Sequence, residues 1–169
     1  MTAPATPEIS PEVSSGASPE ASPGIRPGTE LPPLRQAPLT EAAIAAYARA
    51  SGDTNPIHLD PEAARAVDLP GVIAHGMLTM ALLGRTVTAW ADRDRLRSLR
   101  TTFVAPLPAG SAVICTGTVT DVTTTEDGGE TRAVVRLVAR RPDGRTVARG
   151  RAVVALEPEA LGRPNDAPV

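Results

Sequence analysis

The spacing of apolar and polar positions divides the chain into a tail without period, a helical stretch and a strand-rich stretch. Residues 1 to about 38 hold nine of the 18 prolines among Ser, Ala, Thr, Gly and Glu, with no hydrophobic period. Such a segment buries too little apolar surface to offset its ordering entropy. Residues 1–30 are therefore expected to be a disordered tail. Leu31, Leu34 and Leu39 are the first bulky apolar residues, so the part from Leu31 to Pro38 is expected to dock as an extended arm.

From Thr40 the period becomes helical. Thr40 is placed as N-cap, Glu41 falls in the first turn, and Ile44 and Tyr47 share a face. Ser51-Gly52 ends this helix. Pro56 then forbids a continuous helix through the run Asp53 to His58, because it has no N–H and pushes its predecessor toward extended geometry. A second short helix is signalled by Asp60 as N-cap and Pro61 at the first helical position, running to about Val67. Leu69-Pro70-Gly71 breaks the chain again. From about His75 to Trp90 only Arg85 is charged, which predicts a helix buried almost all round.

Beyond Asp92 the period changes to two. Strands are predicted over Leu99 to Ala105, Ser111 to Thr123, Glu130 to Arg141 and Thr146 to Leu156. Asp143-Gly144 signals a two-residue hairpin. The last strand places Ala148, Gly150, Ala152 and Val154 on one face, small enough for a helix to approach. One buried helix followed by a long antiparallel sheet predicts an α+β domain in which the sheet wraps the helix. This domain is expected over residues 31–157, with residues 158–169 a frayed C-terminal tail.

Composition narrows the function classes. The net charge is −2, and all 17 basic residues are Arg, scattered along the chain, so no nucleic-acid partner is expected. Only Tyr47, Trp90 and Phe103 are aromatic, which disfavours base stacking. The single Cys115 gives neither a disulfide framework nor a Cys/His metal pattern; no metal and no cofactor are expected. No apolar run reaches a membrane span of roughly 18 residues, and the N-terminus lacks a basic and apolar leader. A cytoplasmic protein without a membrane partner is the expectation.

The chemistry concentrates between Tyr47 and Met80, which holds both histidines. Asp53 and His58 lie five residues apart on a segment bent at Pro56, so a carboxylate and an imidazole can face one point. Asp after Gly is often only a turn carboxylate, and a lone loop His is often only a satisfied polar group; Asn55-Pro56-Ile57-His58 beside Asp53 tips both toward catalysis. Ser51 and Asn55 read as scaffolding for the loop backbone and as secondary site candidates. Asp60 reads as a helix cap. Gly76 opens the apolar helix, where unpaired N–H groups and the positive dipole end offer an oxyanion site. His75 is a further secondary candidate that fixes the turn. Met77, Leu78, Met80 and Leu82 are read as core.

The pattern YxxxSGDxNPIHxDPxxA, followed by Gly-Val-Ile-Ala-His-Gly-Met leading into an apolar helix, resembles the MaoC-like, (R)-specific enoyl-thioester hydratase/dehydratase family. The chain is similar in particular to small single-hotdog dehydratases of bacterial fatty-acid and polyketide pathways. The resemblance implies a single hotdog fold, and a hydro-lyase that interconverts enoyl and 3-hydroxyacyl thioesters of CoA or an acyl-carrier protein. It implies Asp53 and His58 as the catalytic pair and the Gly76 amide as the thioester-oxygen donor. It also implies a homodimer joined through a sheet edge. Some relatives carry a Ser eight residues after the glycine, where this chain has Gly84. A hotdog thioesterase would place a carboxylate on the central helix, and residues 76–90 contain no Asp or Glu. Two other readings are a non-catalytic subunit lending its groove to another hotdog protein, and a natural-product enzyme using the pocket for cyclisation or another elimination.

Overall fold

A computed structural model describes residues 24–126 and 128–157; the expectations for residues 1–23 and 158–169 fall outside it. In chain order the elements are β1 (Leu34–Gln36), α1 (Glu41–Ser51), a 3-10 turn (Pro56–His58), α2 (Pro61–Arg65) and α3 (Gly76–Thr88). A second 3-10 turn (Arg93–Arg95) leads into β2 (Leu96–Phe103), β3 (Val113–Thr124), β4 (Thr131–Arg140) and β5 (Thr146–Ala155). The five strands form one antiparallel sheet in the order β1-β3-β4-β5-β2. It packs one face on α3, as the α+β hotdog expectation requires.

Local signals place the helices. The Thr40 hydroxyl accepts from the Ala43 amide at 3.1 Å, and Gly52, at φ 77°, closes α1 in the left-handed region that glycine adopts without strain. The Asp60 carboxylate caps α2 through the Glu62 amide at 2.8 Å. α2 ends at Arg65, two residues short of the expected Val67.

The core is the inward face of the sheet against one stripe of α3. Leu82, Leu83, Thr86 and Val87 of α3 are buried, as are Val113, Cys115 and Val119 of β3, Val135 and Leu137 of β4, and Ala148, Ala152 and Val154 of β5. Close approach depends on Gly150. A Cβ there would stand 3.2 Å from the Arg100 carbonyl oxygen, 3.3 Å from Leu137 Cβ and 3.3 Å from Leu83 Cδ1. Gly150→Val is therefore expected to destabilise the domain by about 1–3 kcal/mol through overpacking, measured by urea unfolding; unchanged stability would mean that α3 is not seated on this strand. Cys115, buried beneath Thr86, has its thiol pushed up to about 11 by burial, against a lowering hydrogen bond from Thr86, so it is no nucleophile at neutral pH.

Four expectations need correction. Docked chain begins before Leu31: the Gly28 and Leu31 amides donate to the carbonyls of Val119 and Gly117, at 2.8 and 2.9 Å. Residues 24–30 thus belong to the described chain rather than to a tail, because β3 offers free main-chain groups that any sequence can pair. The β4–β5 connection is wider than two residues. Arg141 and Arg145 close it by a 2.9 Å backbone bond, with Gly144 at φ 86° and a register shift beside it. Pro142 would flank a two-residue Asp143-Gly144 turn, and it has no N–H to close the pair with Arg145 that such a turn requires.

Helix α3 is not buried all round. Met77 is 56% exposed, and Ala81, Arg85 and Thr88 continue the uncovered strip, because the sheet covers only one side; Met77 is therefore not core. Finally, the arginines are scattered in sequence but not in space, where Arg100, Arg151 and Arg136 stand side by side across three strands. Among the described residues no helix is long and apolar enough to cross a membrane.

Candidate active site

The loop after α1 is held by its own short polar side chains. Ser51 Oγ donates to the Tyr47 carbonyl at 2.8 Å and accepts from the Asp53 amide at 3.3 Å. Asp53 Oδ1 accepts from the Asn55 amide at 3.3 Å, and Asn55 Oδ1 from the Ile57 amide at 3.2 Å. Each is an Asx- or Ser-type turn that competes with helix. Pro56 then opens a single 3-10 turn, with Asn55 before it extended at φ −53°, ψ 128°. The expected break in the helix is present; the turn itself, which ends on His58, was not expected. It arises because proline suits a first helical position.

Two carbonyls fix the two imidazoles. His58, 7% exposed, has Nδ1 at 2.8 Å from the Ile73 carbonyl oxygen. A carbonyl can only accept, so Nδ1 carries the proton and the neutral ring presents a bare Nε2. His75, 1% exposed, donates from Nε2 to the Asp53 carbonyl at 2.9 Å, leaving Nδ1 buried without a hydrogen-bond partner. The His75 ring is stacked on His58, with centroids 3.8 Å apart and planes at 26°, and meets Tyr47 at 4.9 Å. His75 thus joins both dyad candidates to the head of α3 and is a structural neighbour of the pair, while Asp53 itself is exposed.

The donor atoms of Asp53, His58 and His75 all lie within 4.8 Å of one another. Stacked rings direct their in-plane lone pairs side by side rather than at a common point, and each ring already commits one nitrogen to a carbonyl. The arrangement suits proton transfer more than chelation.

Gly76 is the first residue of α3, and among the described residues its amide has no hydrogen-bond acceptor, whereas those of Leu78 and Thr79 bond the His75 carbonyl. A Cβ at Gly76 would meet the Phe103 ring at 3.1–3.3 Å. The aromatic wall can approach the helix end only because this residue has no side chain. Beside it lies a pocket of about 370 Å³ whose lining includes His58, Gly76, Thr79, Phe103, Val104 and Leu107. Its size lies at the low end of small-ligand pockets.

The structure thus brings Asp53, His58, His75 and Gly76 together and leaves Ser51 and Asn55 in the loop backbone. Sequence reasoning missed Thr79, buried at 4% and lining the pocket one turn after Gly76; a hydroxyl three residues after the helix start in an apolar run was the available signal. It also missed Phe103 and Val104, whose place depends on strand pairing. Gly84 sits under β2, where a Cβ would be 3.4 Å from Leu99 Cδ2.

A family model for the MaoC-like domain matches residues 23–139. The chain belongs to the MaoC-like domain family. Among curated MaoC-like relatives, 3-hydroxyacyl-thioester dehydratase Z of Mycobacterium tuberculosis is 36% identical over 90 residues, covering 50% of this chain and 60% of that protein. 3-hydroxyacyl-thioester dehydratase X of the same organism is 45% identical over 58 residues, covering 34% of this chain and 21% of that protein. The match therefore spans at most about three fifths of either relative's length. Of solved structures, the (R)-hydratase from A. caviae involved in PHA biosynthesis superposes with a TM-score of 0.66 at 26% identity, covering 79% of this chain and 98% of that one.

Proposed function

We propose that this MaoC-like chain is an (R)-specific hydro-lyase that adds water to an enoyl thioester, or removes it from a 3-hydroxyacyl thioester. The observation that carries the reading is the Asp53 carboxylate within 4.8 Å of a ring nitrogen of His58, whose ring lines an apolar pocket bounded by the free Gly76 amide. In hydration, a water oxygen bonds the β-carbon while its proton passes to the dyad. A proton is delivered to the α-carbon, and the negative charge that develops on the thioester oxygen is met by the Gly76 N–H. Dehydration runs the same steps backward. Base and acid are not separated between Asp53 and His58, since two groups sharing one water exchange roles with the direction of the reaction. Incubation with crotonyl-CoA and with longer enoyl-CoA and enoyl-carrier-protein substrates is expected to lower the enoyl absorbance and to yield the (R)-3-hydroxy product. Silence with all of them refutes the reading.

The pocket is open on the side of β2. Phe103 is 50% exposed, Val104 49% and Met77 56%, and β2 is an edge strand. A second copy paired along β2 would cover these residues and satisfy the edge; the working enzyme is accordingly read as a homodimer. Light scattering is expected to give twice the chain mass at micromolar concentration, and a monomer there overturns the assignment.

A further inference from the structure

Strand alternation gathers onto the outer face of the sheet the arginines that the sequence scatters. On that face Arg100 of β2 stands directly opposite Arg151 of β5, and Arg151 directly opposite Arg136 of β4. Arg149 lies between Thr102 and Val138, while Arg140 and Arg35 both neighbour Ile114. All six arginines are exposed, and among the described residues none has an ion pair; the acids Glu62, Glu130, Asp143 and Glu157 are engaged by Arg65, Arg95, Arg97, Arg132 and Arg141. Like charges directly opposite one another destabilise a sheet. A chain with net charge −2 therefore maintains a locally cationic face at some cost.

We infer that this face is a docking surface for an acidic protein that carries the acyl thioester on an arm, so that the substrate arrives bound to a carrier protein. Three features select this occupant. With strands about 4.8 Å apart, the array from β2 to β1 spans about 19 Å, wider than the diphosphate of a single nucleotide-bearing thioester. The arginines alternate with half-buried Val134, Val138, Val153 and Ile114 and with no aromatic residue. That mixture matches a protein interface, in which Arg is enriched, and offers no platform for bases. A hollow of about 580 Å³ on the same face, between the Glu30–Pro33 chain and Arg136, Arg140 and Arg149, gives the partner relief to engage. The pocket lies on the other side of the same end of the sheet, since successive strand residues face opposite sides: Thr102 of the arginine face is followed by Phe103 and Val104, and Arg149 is preceded two residues earlier by Val147, all three of which line it, so the carrier's arm has only to round that end.

The inference rests on the hydro-lyase reading, and its test separates the two. Full-length protein and the variant Arg136→Glu/Arg151→Glu are assayed with crotonyl-CoA and with a crotonyl acyl-carrier protein. Binding of fluorescent holo acyl-carrier protein is followed by anisotropy at 50 and 300 mM KCl. Charge reversal is expected to lower kcat/KM for the carrier substrate, and carrier affinity, by about tenfold or more. It should leave crotonyl-CoA turnover within about twofold, which also reports that the variant folds; Arg140→Ser/Arg149→Ser should act in the same sense. Salt should weaken the carrier reaction alone. Equal effects on both substrates, an unaffected carrier, equally tight capture of duplex DNA, or carrier binding only after removal of residues 1–23 would each overturn it. If neither substrate turns over but the carrier still binds in an arginine-dependent way, the reaction is wrong and the surface stands.

Discussion

Asp53→Asn is expected to lower kcat by about 10²–10⁴, the range that positioned acid/base groups contribute, while leaving unfolding free energy within about 0.5 kcal/mol. The asymmetry follows from where Asp53 sits. Its carboxylate is exposed and its structural duty is one acceptor bond to the Asn55 amide, which the Asn carbonyl oxygen reproduces. What is lost is the negative charge and the site for a proton. His58→Ala should cut activity as deeply but is less innocent structurally, since it removes the 2.8 Å bond to the Ile73 carbonyl and the stack on His75. His58→Asn separates the two effects, because its amide can still donate to Ile73 while nothing replaces Nε2. The expected result is recovered stability without recovered turnover. The double variant should be little worse than either single one, as groups acting on one water are not additive. Normal turnover by Asp53→Asn and His58→Asn would remove the dyad from the mechanism.

Much of this site was legible because it is built locally. Thr40, Gly52 and Asp60 mark helix ends through bonds to residues within four positions, and Pro61 through its fixed φ, so their signals survive without knowledge of the fold. The Asp53–His58 bend is likewise written by Pro56 and by side chains that bond two residues onward. What escaped depends on pairing across the chain. Phe103 reaches Gly76 only through the register that sets Phe103 opposite Ala148. The bare Nε2 of His58 depends on Ile73, fifteen residues away. The docking of residues 28–31 on β3 uses main-chain groups, to which a side-chain pattern is blind. The arginine face has the same origin: period two is visible in each strand, but which arginines meet is decided by register.

Gly76→Pro is expected to lower kcat by about 10²–10³, equivalent to about 2.7–4 kcal/mol for one oxyanion donor, with the fold retained. Proline deletes the amide proton at a first helical position, where no intrahelical bond is lost. The residue ahead of it already has the extended backbone that proline demands, since His75 stands at φ −58°, ψ 139°. The complication is steric: any Cβ at this position meets the Phe103 ring at 3.1–3.3 Å. Gly76→Ala brings the same contact but keeps the N–H, and Phe103, half exposed, can yield by turning outward. Alanine should therefore report the crowding alone, as a weaker substrate affinity with a modest loss of kcat. Proline should add the loss of the donor, chiefly in kcat. If the two variants were equally impaired, Gly76 would matter for the space it leaves beneath Phe103, and the charge on the thioester oxygen would have to be met elsewhere at the head of α3, where Met77 has the next unpaired amide.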